Sequence, residues 1–275
     1  MSSTWLKLAR KNRYRQIFTG PQCLVVTATD NKCAVGVVGM IKSFVLNSGL
    51  NLRFLVLGKD LSTKNREMIT TLGLTQVVDL DEFYDHKARD HWCTWILEIF
   101  WLKQAELYDY VFYVDADVMV RKSLLGFIQE FRDRENRNCQ LDIPEKRNCH
   151  NICVVDHKRV WHENWFERNC KHNFNAGFIV FSQSFFGSEL HENLKKEIIR
   201  EQPSNDEVYL RKFFNKRCLL YAPTKFNGRI IWLNKEAQDA DDVYVVHFVG
   251  QENKPWLSRS DPYHREWHKI FKTEL

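Results

Sequence analysis

The stretch YVFYVDADV, residues 110–118, decides the fold class that we predict for this chain. Its first five residues are apolar or aromatic at every position, which is typical of a strand buried on both faces in a parallel sheet covered by helices. Asp115 and Asp117 follow that strand directly. Because open α/β sheets bind ligands at the carboxyl ends of their strands, we expect the two aspartates to face a binding crevice.

The segments before this stretch repeat the same alternation of strand and helix patterns. Short apolar runs predict strands at 23–28, 52–57 and 76–80. Longer runs between them predict helices at 34–46, 63–72 and 92–107. Apolar strands separated by helices indicate an α/β fold with a Rossmann-like, mostly parallel sheet and helices on both faces. No Gly/Ser/Pro-rich linker interrupts the pattern, so we predict a single domain.

The alternation is less regular in the second half of the chain. Residues 118–174 are charged, rich in Cys and His and poorly periodic, and stretches of this length either serve a function or carry short elements of their own. Asn175–Gly177 then predicts a tight turn before a strand at 178–182. Further on, the patterns predict helices at 188–200 and after Glu207, and a strand at 243–250.

Composition excludes several classes of protein. A chain of 275 residues with 44% hydrophobic content can bury one core, which excludes a disordered or fibrous protein. No run approaches the ~18 apolar residues of a membrane helix, and the N-terminal residues lack the apolar stretch of a signal peptide. We therefore interpret the chain as cytoplasmic, without a transmembrane segment.

Charge is concentrated at one end of the chain. The net charge is +5, and the first twenty residues hold five Lys or Arg and no acid, so the remainder is balanced. Because a nucleic-acid-binding protein spreads basic surface through its fold, we expect no nucleic-acid partner. Residues 1–20 are interpreted as a basic tail or helix, with a membrane-surface anchor or a transit peptide as alternatives. Residues 258–275 are interpreted as a C-terminal helix or tail.

The eight cysteines allow three interpretations. We favour free thiols in a reducing compartment, with one or two disulfides as an alternative. A structural zinc site is the third, although the spacing is not the paired C-x2-C form. That site would draw on a cluster of cysteines and histidines in the irregular segment: Cys139, Cys149, His150, Cys153, His157, Cys170 and His172.

The chemistry of the aspartate pair points to a metal and a diphosphate. Carboxylates at i and i+2 suit Mg²⁺ or Mn²⁺, which prefer oxygen ligands and can bridge phosphate oxygens. The alternative is an ordinary strand end with two solvated aspartates. Asp206 likewise has two interpretations, a functional carboxylate or an acid favoured by the dipole at a helix start.

Five motifs in order give the chain a resemblance to a known family: VTATD (26–30), YVDADV (113–118), FNAGFIVF (174–181), NDEVYL (205–210) and HFVGQENKPW (247–256). Together they resemble glycosyltransferase family 8, the glycogenin-like and lipopolysaccharide galactosyltransferase-like enzymes. The resemblance implies an A-type nucleotide-sugar transferase domain over residues 21–257. Its nucleotide-binding half would be 21–120 and its acceptor or sugar half 121–257.

The resemblance also implies a reaction and its residues. The chain would be a retaining hexosyltransferase, moving a sugar from UDP-glucose or UDP-galactose to a hydroxyl on a glycan or protein with Mn²⁺ or Mg²⁺. Asp115, Asp117 and His247 would ligate the metal, and Asp206, Lys254 and Asn175 would be catalytic. The donor would be bound by residues of all five motifs: Thr27, Ala28, Thr29, Asp30, Asp115, Ala116, Asp117, Asn175, Ala176, Gly177, Asp206, Glu207, His247, Gly250 and Lys254. By family analogy the chain would form a homodimer.

Several positions depart from the family pattern. Glu98 or Ile99 stands where the family has a basic residue, Glu207 where it has Gln, and Cys33 where an aromatic residue often stacks on uracil. The spacing from His247 to Lys254 is one residue longer than usual. These departures motivate an alternative function, a catalytically degenerate nucleotide-sugar-binding protein.

Overall fold

A computed structural model describes residues 20–80, 92–140, 152–156, 165–169, 174–214, 218–236, 242–257 and 260–275. The strands in these ranges are β1 (Gln22–Thr29), β2 (Asn51–Gly58), β3 (Thr75–Asp79), β4 (Tyr110–Val114), β5 (Val118–Val120), β6 (Ile152–Asp156), β7 (Phe166–Asn169), β8 (Phe174–Ser182), β9 (Cys218–Ala222), β10 (Gly228–Arg229) and β11 (Val245–His247). The α-helices are α1 (Ala34–Asn47), α2 (Thr63–Thr70), α3 (Leu125–Gln140), α4 (Glu189–Glu201), α5 (Asp206–Phe214), α6 (Ile230–Glu236) and α7 (Pro262–Lys272).

The main sheet has eight strands in the order β3-β2-β1-β4-β8-β6-β9-β7. The first four are parallel to one another, β8 runs antiparallel to both of its neighbours, and β7 runs antiparallel to β9. The predicted mostly parallel α/β sheet is therefore confirmed. Strands β4 and β8 are buried along their whole length, as the continuous apolar sequence of β4 indicated.

Helices cover both faces of this sheet, as predicted. On one face, α4 and α5 pack with residues 95–105 in a core that includes Val26, Tyr113 and Ile179. On the other face, α1, α2 and α3 pack in a second core around Val25 and Phe112. Alternate residues of β1 and β4 thus point into different cores, as the pleat of a strand requires.

A second, smaller sheet pairs β11, from the C-terminal part of the chain, with β5, the strand that follows β4. Its order is β10-β11-β5, with His247 opposite Val118 in the antiparallel pair of β11 and β5. Since β5 begins one residue after Asp117, this register brings His247 beside the aspartate pair.

Four predicted elements differ from the observed ones. The helix expected at 92–107 consists of two 3-10 segments, Trp92–Trp101 and Lys103–Leu107. The turn expected at Asn175–Gly177 lies inside the extended strand β8, because β8 pairs with β6 at Phe174 and with β4 from Phe178 onward, which holds the residues between them extended. Strand 243–250 is shortened to β11.

The fourth difference lies in the segment 118–174, which we expected to serve a function or to carry short elements of its own, without placing any of them. It contains β5, β6, β7 and the 16-residue helix α3. Three apolar residues on one side of α3 are buried, namely Phe127, Ile128 and Phe131. Because most of the other residues of the helix are charged or polar, the sequence pattern did not indicate this apolar stripe.

Two further predictions concern membranes and cysteines. No helix within the described ranges is long and apolar enough to cross a bilayer. Cys23, Cys33 and Cys153 are free thiols, and burial raises the pKa of Cys153 far above its usual value. The side chains of the other proposed zinc ligands lie outside the described residues.

Candidate active site

The aspartate pair lies at the carboxyl end of β4, as predicted. Asp115 is held in place by its backbone N–H, which donates to the Gly177 carbonyl of β8 at 3.0 Å. The Asp117 carbonyl accepts a hydrogen bond from the Phe248 N–H, also at 3.0 Å. Backbone pairing on both sides therefore fixes the two residues between the main sheet and the small sheet.

His247 completes a cluster with the two aspartates. Its Nε2 atom lies 3.5 Å from Asp115 Oδ2 and 3.3 Å from Asp117 Oδ1. One ligand atom from each of the three residues can be chosen so that all lie within 4.8 Å of one another. Within the described part of the chain no other group of three such residues meets this condition. Two carboxylates and an imidazole are a chemically coherent ligand set for a divalent cation.

Lys254 also reaches this cluster. Its Nζ atom donates to Asp117 Oδ2 at 2.7 Å, so the longer spacing between His247 and Lys254 does not prevent the contact. Between the two residues lie a positive-φ glycine, Gly250 (φ 99°), and a single 3-10 turn at Gln251–Asn253.

The charges in the cluster shift one another's ionisation. Burial alone would raise the pKa of Asp117, but His247 and Lys254 outweigh it and hold that pKa well below its usual value. Burial and the neighbouring Asp117 carboxylate raise the pKa of Asp115, although His247 opposes them. The Asp117 carboxylate also raises the pKa of Lys254 against the effect of burial. Asp117 is thus the fixed negative charge of the site.

Gly177 allows the cluster to pack closely. A Cβ atom at this position would lie 2.2 Å from His247 Cε1 and 2.6 Å from Asp115 Oδ2. Real Cβ atoms essentially never approach other heavy atoms so closely, so any larger residue would displace two of the three candidate ligands.

A hydrogen-bond network next to the cluster joins β8 to α5. Glu207 Oε2 accepts from Asn175 Nδ2 at 3.0 Å and from the Ala176 N–H at 3.1 Å. Its other oxygen pairs with Arg211, which also donates from Nε to the Phe174 carbonyl at 2.8 Å. Because the Asn175 amide nitrogen donates to Glu207, its oxygen is free to accept from the Gly177 N–H at 3.1 Å.

Arg211 and Asn227 were not among the predicted site residues. Asn227 Nδ2 donates to Asn175 Oδ1 at 3.3 Å, and nothing in the sequence indicated this contact. The i, i+4 spacing of Glu207 and Arg211 is a signal that could have identified the ion pair.

Asp206 lies at the first turn of α5, where Asn205 Oδ1 caps the helix by accepting from the Val208 N–H at 2.9 Å. Burial and the Asp115 carboxylate raise the pKa of Asp206 well above its usual value. The position of Asp206 at a helix start agrees with the second interpretation, and a function for its carboxyl group stays a prediction.

The predicted donor-binding residues of β1 have mixed surroundings. Thr27 and Thr29 are both 1% exposed, and Thr27 Oγ1 has no hydrogen-bond partner among the residues that the structure describes. Asp30 Oδ1 accepts from the N–H groups of Lys32 and Cys33 at 2.9 and 3.0 Å and so fixes the entry to α1. Ala28, near the end of β1, and Ala116, between β4 and β5, are both buried.

The structure also shows the surroundings of Glu98, one of the two residues that could stand where the family has a basic residue. Its side chain is fully buried in the 3-10 segment Trp92–Trp101. Residues 81–91, which include Arg89, lie outside the described residues.

Comparisons with known proteins agree with this architecture. A family model described as glycosyl transferase family 8 matches residues 23–260. No curated protein sequence matches the chain significantly.

Solved structures share the fold at low sequence identity. The apo structure of the bifunctional glycosyltransferase WbbM has a TM-score of 0.63 at 18% identity, with 92% of this chain and 50% of that chain covered. This chain therefore spans half the length of WbbM. The galactosyltransferase LgtC, in complex with donor and acceptor sugar analogs, has a TM-score of 0.57 at 18% identity, with 90% of this chain and 95% of that chain covered. The apo form of the glycosyltransferase GlyE of Streptococcus pneumoniae TIGR4 has a TM-score of 0.60 at 16% identity, with 93% of this chain and 61% of that chain covered.

Proposed function

The chain belongs to glycosyl transferase family 8, and we propose that it transfers a sugar from a UDP-sugar to a hydroxyl group of a glycan or protein with retention of configuration. One observation carries this proposal, the convergence of Asp115, Asp117 and His247 with their ligand atoms within 4.8 Å. UDP-glucose and UDP-galactose are the donors that we favour.

Asp115, Asp117 and His247 would hold Mn²⁺ or Mg²⁺. Their fit to a divalent cation is supported by the chemistry of the donor set and by the orientation of His247, whose Nε2 faces both carboxylates. The bound ion would neutralise charge on the donor diphosphate. Two aspartates and one histidine leave coordination positions open for phosphate oxygens.

Lys254 would bind the same diphosphate. In this structure its ammonium pairs with Asp117, and its side chain remains 19% exposed. When a diphosphate is bound, the ammonium would transfer part of this contact to phosphate oxygens and stabilise the charge that develops as UDP departs. Backbone N–H groups near Gly250 would contribute to the same contact.

Asn175, Ala176 and Gly177 would contact the donor sugar, together with Asp206 and Glu207. Glu207 fixes the orientation of the Asn175 amide, so a sugar hydroxyl would meet a preorganised strand end. Two routes give retention: a covalent glycosyl-enzyme, which needs a carboxylate under the anomeric carbon, or departure and attack on the same face. We assign Asp206 to positioning and charge stabilisation on either route.

The competing function is a nucleotide-sugar-binding protein that has lost transfer. Its support is the buried carboxylate of Glu98, where the family has a basic residue, and the ion pair of Glu207 with Arg211. Against it stands the complete set of candidate metal ligands with Lys254.

A panel of nucleotide sugars separates the two functions. Thermal shift and hydrolysis would be measured for each donor with and without Mn²⁺, with the double variant Asp115→Ala/Asp117→Ala as the control. We expect a UDP-sugar to stabilise the protein and to be slowly hydrolysed only with metal, and both effects to vanish in the control. Binding without hydrolysis or transfer to any acceptor would favour the degenerate binder.

A further inference from the structure

Helix α7 packs against the loop that ends at Lys254. This loop runs from His247 to Lys254, and its two end residues contribute two of the four side chains that meet at the cluster. No role for α7 follows from the proposed reaction itself, because none of its residues belongs to the cluster.

His264 of α7 contacts the loop near both of its ends. Its ring packs edge-to-face on the Phe248 ring, with the centroids 4.9 Å apart, and Phe248 directly follows His247. Its Nε2 atom lies 3.2 Å from the carbonyl oxygen of Asn253, which directly precedes Lys254. Since a carbonyl can only accept, Nε2 must carry the proton and donate.

The loop also binds itself at the same residue. The Asn253 side chain donates to the Val249 carbonyl at 2.9 Å, and its backbone N–H donates to Gly250 at 3.2 Å. His264 therefore closes a compact loop by binding the one carbonyl that immediately precedes Lys254. The imidazole is completely buried, so water cannot replace this contact.

His264 is itself held rigidly. Its Nδ1 atom lies 2.5 Å from Asp261 Oδ2, and Asp261 Oδ1 caps α7 by accepting from the N–H groups of Tyr263 and His264 at 3.1 Å. Asp261 thus caps the first turn of the helix, and its carboxylate lies beside the imidazole ring.

The helix is in turn fixed to α1, which covers the main sheet. A Cβ atom at Gly39 of α1 would lie 2.4 Å from the buried Trp267 ring, so the helix and that ring are in close contact. Lys42 of α1 donates to the carbonyls of Phe271 and Thr273 at the end of α7, at 2.6 and 2.8 Å. These contacts anchor His264 to the same body of the protein that carries β1 and β4.

We propose that His264 is a positioning residue that holds the loop from His247 to Lys254 so that the Lys254 ammonium meets the diphosphate of the donor. Helix α7 is then part of the donor-binding apparatus. The proposal rests on the proposed function for the ligand that Lys254 binds, but the contact between helix and loop is independent of it.

The test is a double-mutant cycle in the full chain. UDP affinity in the presence of Mn²⁺ would be measured for wild type, His264→Leu, Lys254→Ala and the double variant. We expect His264→Leu to weaken UDP binding about 10-fold, because a misplaced ammonium loses most of its contact with the diphosphate. In the Lys254→Ala background the same substitution should change affinity less than about 2-fold.

Two further variants separate positioning from general damage to the fold. His264→Gln keeps an amide donor near the Asn253 carbonyl and should recover UDP affinity to within about 3-fold of wild type. His268→Leu is the matched control, because His268 lies one turn further along α7 and faces the Leu257 carbonyl at 3.4 Å, beyond Lys254. It should leave UDP affinity unchanged.

Amide hydrogen exchange of the ligand-free protein gives a readout that does not depend on any donor. In His264→Leu, amides of residues 250–256 should exchange about 10-fold faster than in wild type, while those of β1 and β4 keep their rates. Unchanged exchange in the loop, or equal losses of UDP affinity with and without Lys254, would overturn the proposal. If wild type binds no UDP, the proposed function fails, and hydrogen exchange still decides the role of His264.

Discussion

At the scale of single residues, the site depends on how closely β8 approaches the candidate ligands. Gly177 lies against the imidazole of His247 and the carboxylate of Asp115, and a Cβ atom there would clash with both. The sequence indicated that Asn175–Gly177 matters but assigned it a turn. A small residue is required because of a contact across two sheets, which no local pattern in the sequence reports.

Gly177→Ala is therefore expected to disrupt metal binding more than folding. Overpacking should lower the free energy of unfolding by about 1–3 kcal/mol, and displacement of His247 and Asp115 should weaken Mn²⁺ binding about 10-fold or more. Both would be measured, by urea unfolding and by Mn²⁺ titration.

Gly126→Ala is the matched control for this prediction. A Cβ atom at Gly126 meets nothing within 4 Å, and the residue lies in the first turn of α3. This substitution should leave Mn²⁺ affinity unchanged and stabilise the protein slightly. Equal Mn²⁺ affinity in wild type and Gly177→Ala would contradict the account of this contact.

At the scale of elements, α5 is joined to β8 by hydrogen bonds of Glu207 and Arg211, two residues of the helix that form an ion pair with each other. Their side chains are only 26% and 21% exposed, and Glu207 also accepts from Asn175 and Ala176. The pair thus couples the helix to the strand that faces the proposed donor sugar.

Glu207→Gln should lower the free energy of unfolding by about 1–3 kcal/mol, because it leaves Arg211 without its counter-charge in a largely buried setting. Urea unfolding would measure the change. Lys212→Gln serves as control on the same helix, because Lys212 is 72% exposed in its pair with Glu201 and should cost less than about 0.5 kcal/mol. Similar losses in the two variants would show that the Glu207 pair has no special role.

Helix α3 carries a second testable feature at this scale. Burial raises the pKa of Glu135 to about 7, although hydrogen bonds to Ser182 and Tyr110 oppose the shift. A carboxyl group with a raised pKa in the folded state stabilises the fold while it is protonated. That contribution is complete below the unfolded pKa and is lost as the pH rises through about 7.

Glu135→Gln should remove this dependence on pH. Between pH 5 and pH 8 the wild type should lose about 1–3 kcal/mol of unfolding free energy that the variant retains. Urea unfolding of both proteins at the two pH values would measure the difference. Parallel curves for the two proteins would show that Glu135 does not titrate as described.

At the scale of the whole molecule, the sequence predicted the parts of the fold that depend on local patterns. Strands β1, β2 and β4 and helix α1 follow from apolar runs and their spacing, and the order of the motifs predicted that distant segments meet at the carboxyl end of β4. His247 and Lys254 reach that place as expected, and the candidate metal ligands converge.

The elements and contacts that the sequence did not predict have a common physical cause. Each depends on which side chains the folded protein buries or brings together, and a local sequence pattern does not show this. Residues 92–102 are mostly apolar, and periodicity does not distinguish an α-helix from consecutive 3-10 turns in such a sequence. Helix α3 shows too narrow an apolar stripe to stand out among its charges. The contacts of Asn227 and His264 join residues far apart in the chain, and only the folded structure brings them together.

In the proposed function, Asp115, Asp117 and His247 bind one divalent cation that the donor diphosphate requires. Electron paramagnetic resonance would count the Mn²⁺ ions bound per chain in the presence of UDP, in wild type and in Asp115→Asn/Asp117→Asn. We expect one bound ion in wild type and a loss of nearly all binding in the variant. Equal binding by the two proteins, or none by wild type, would contradict it.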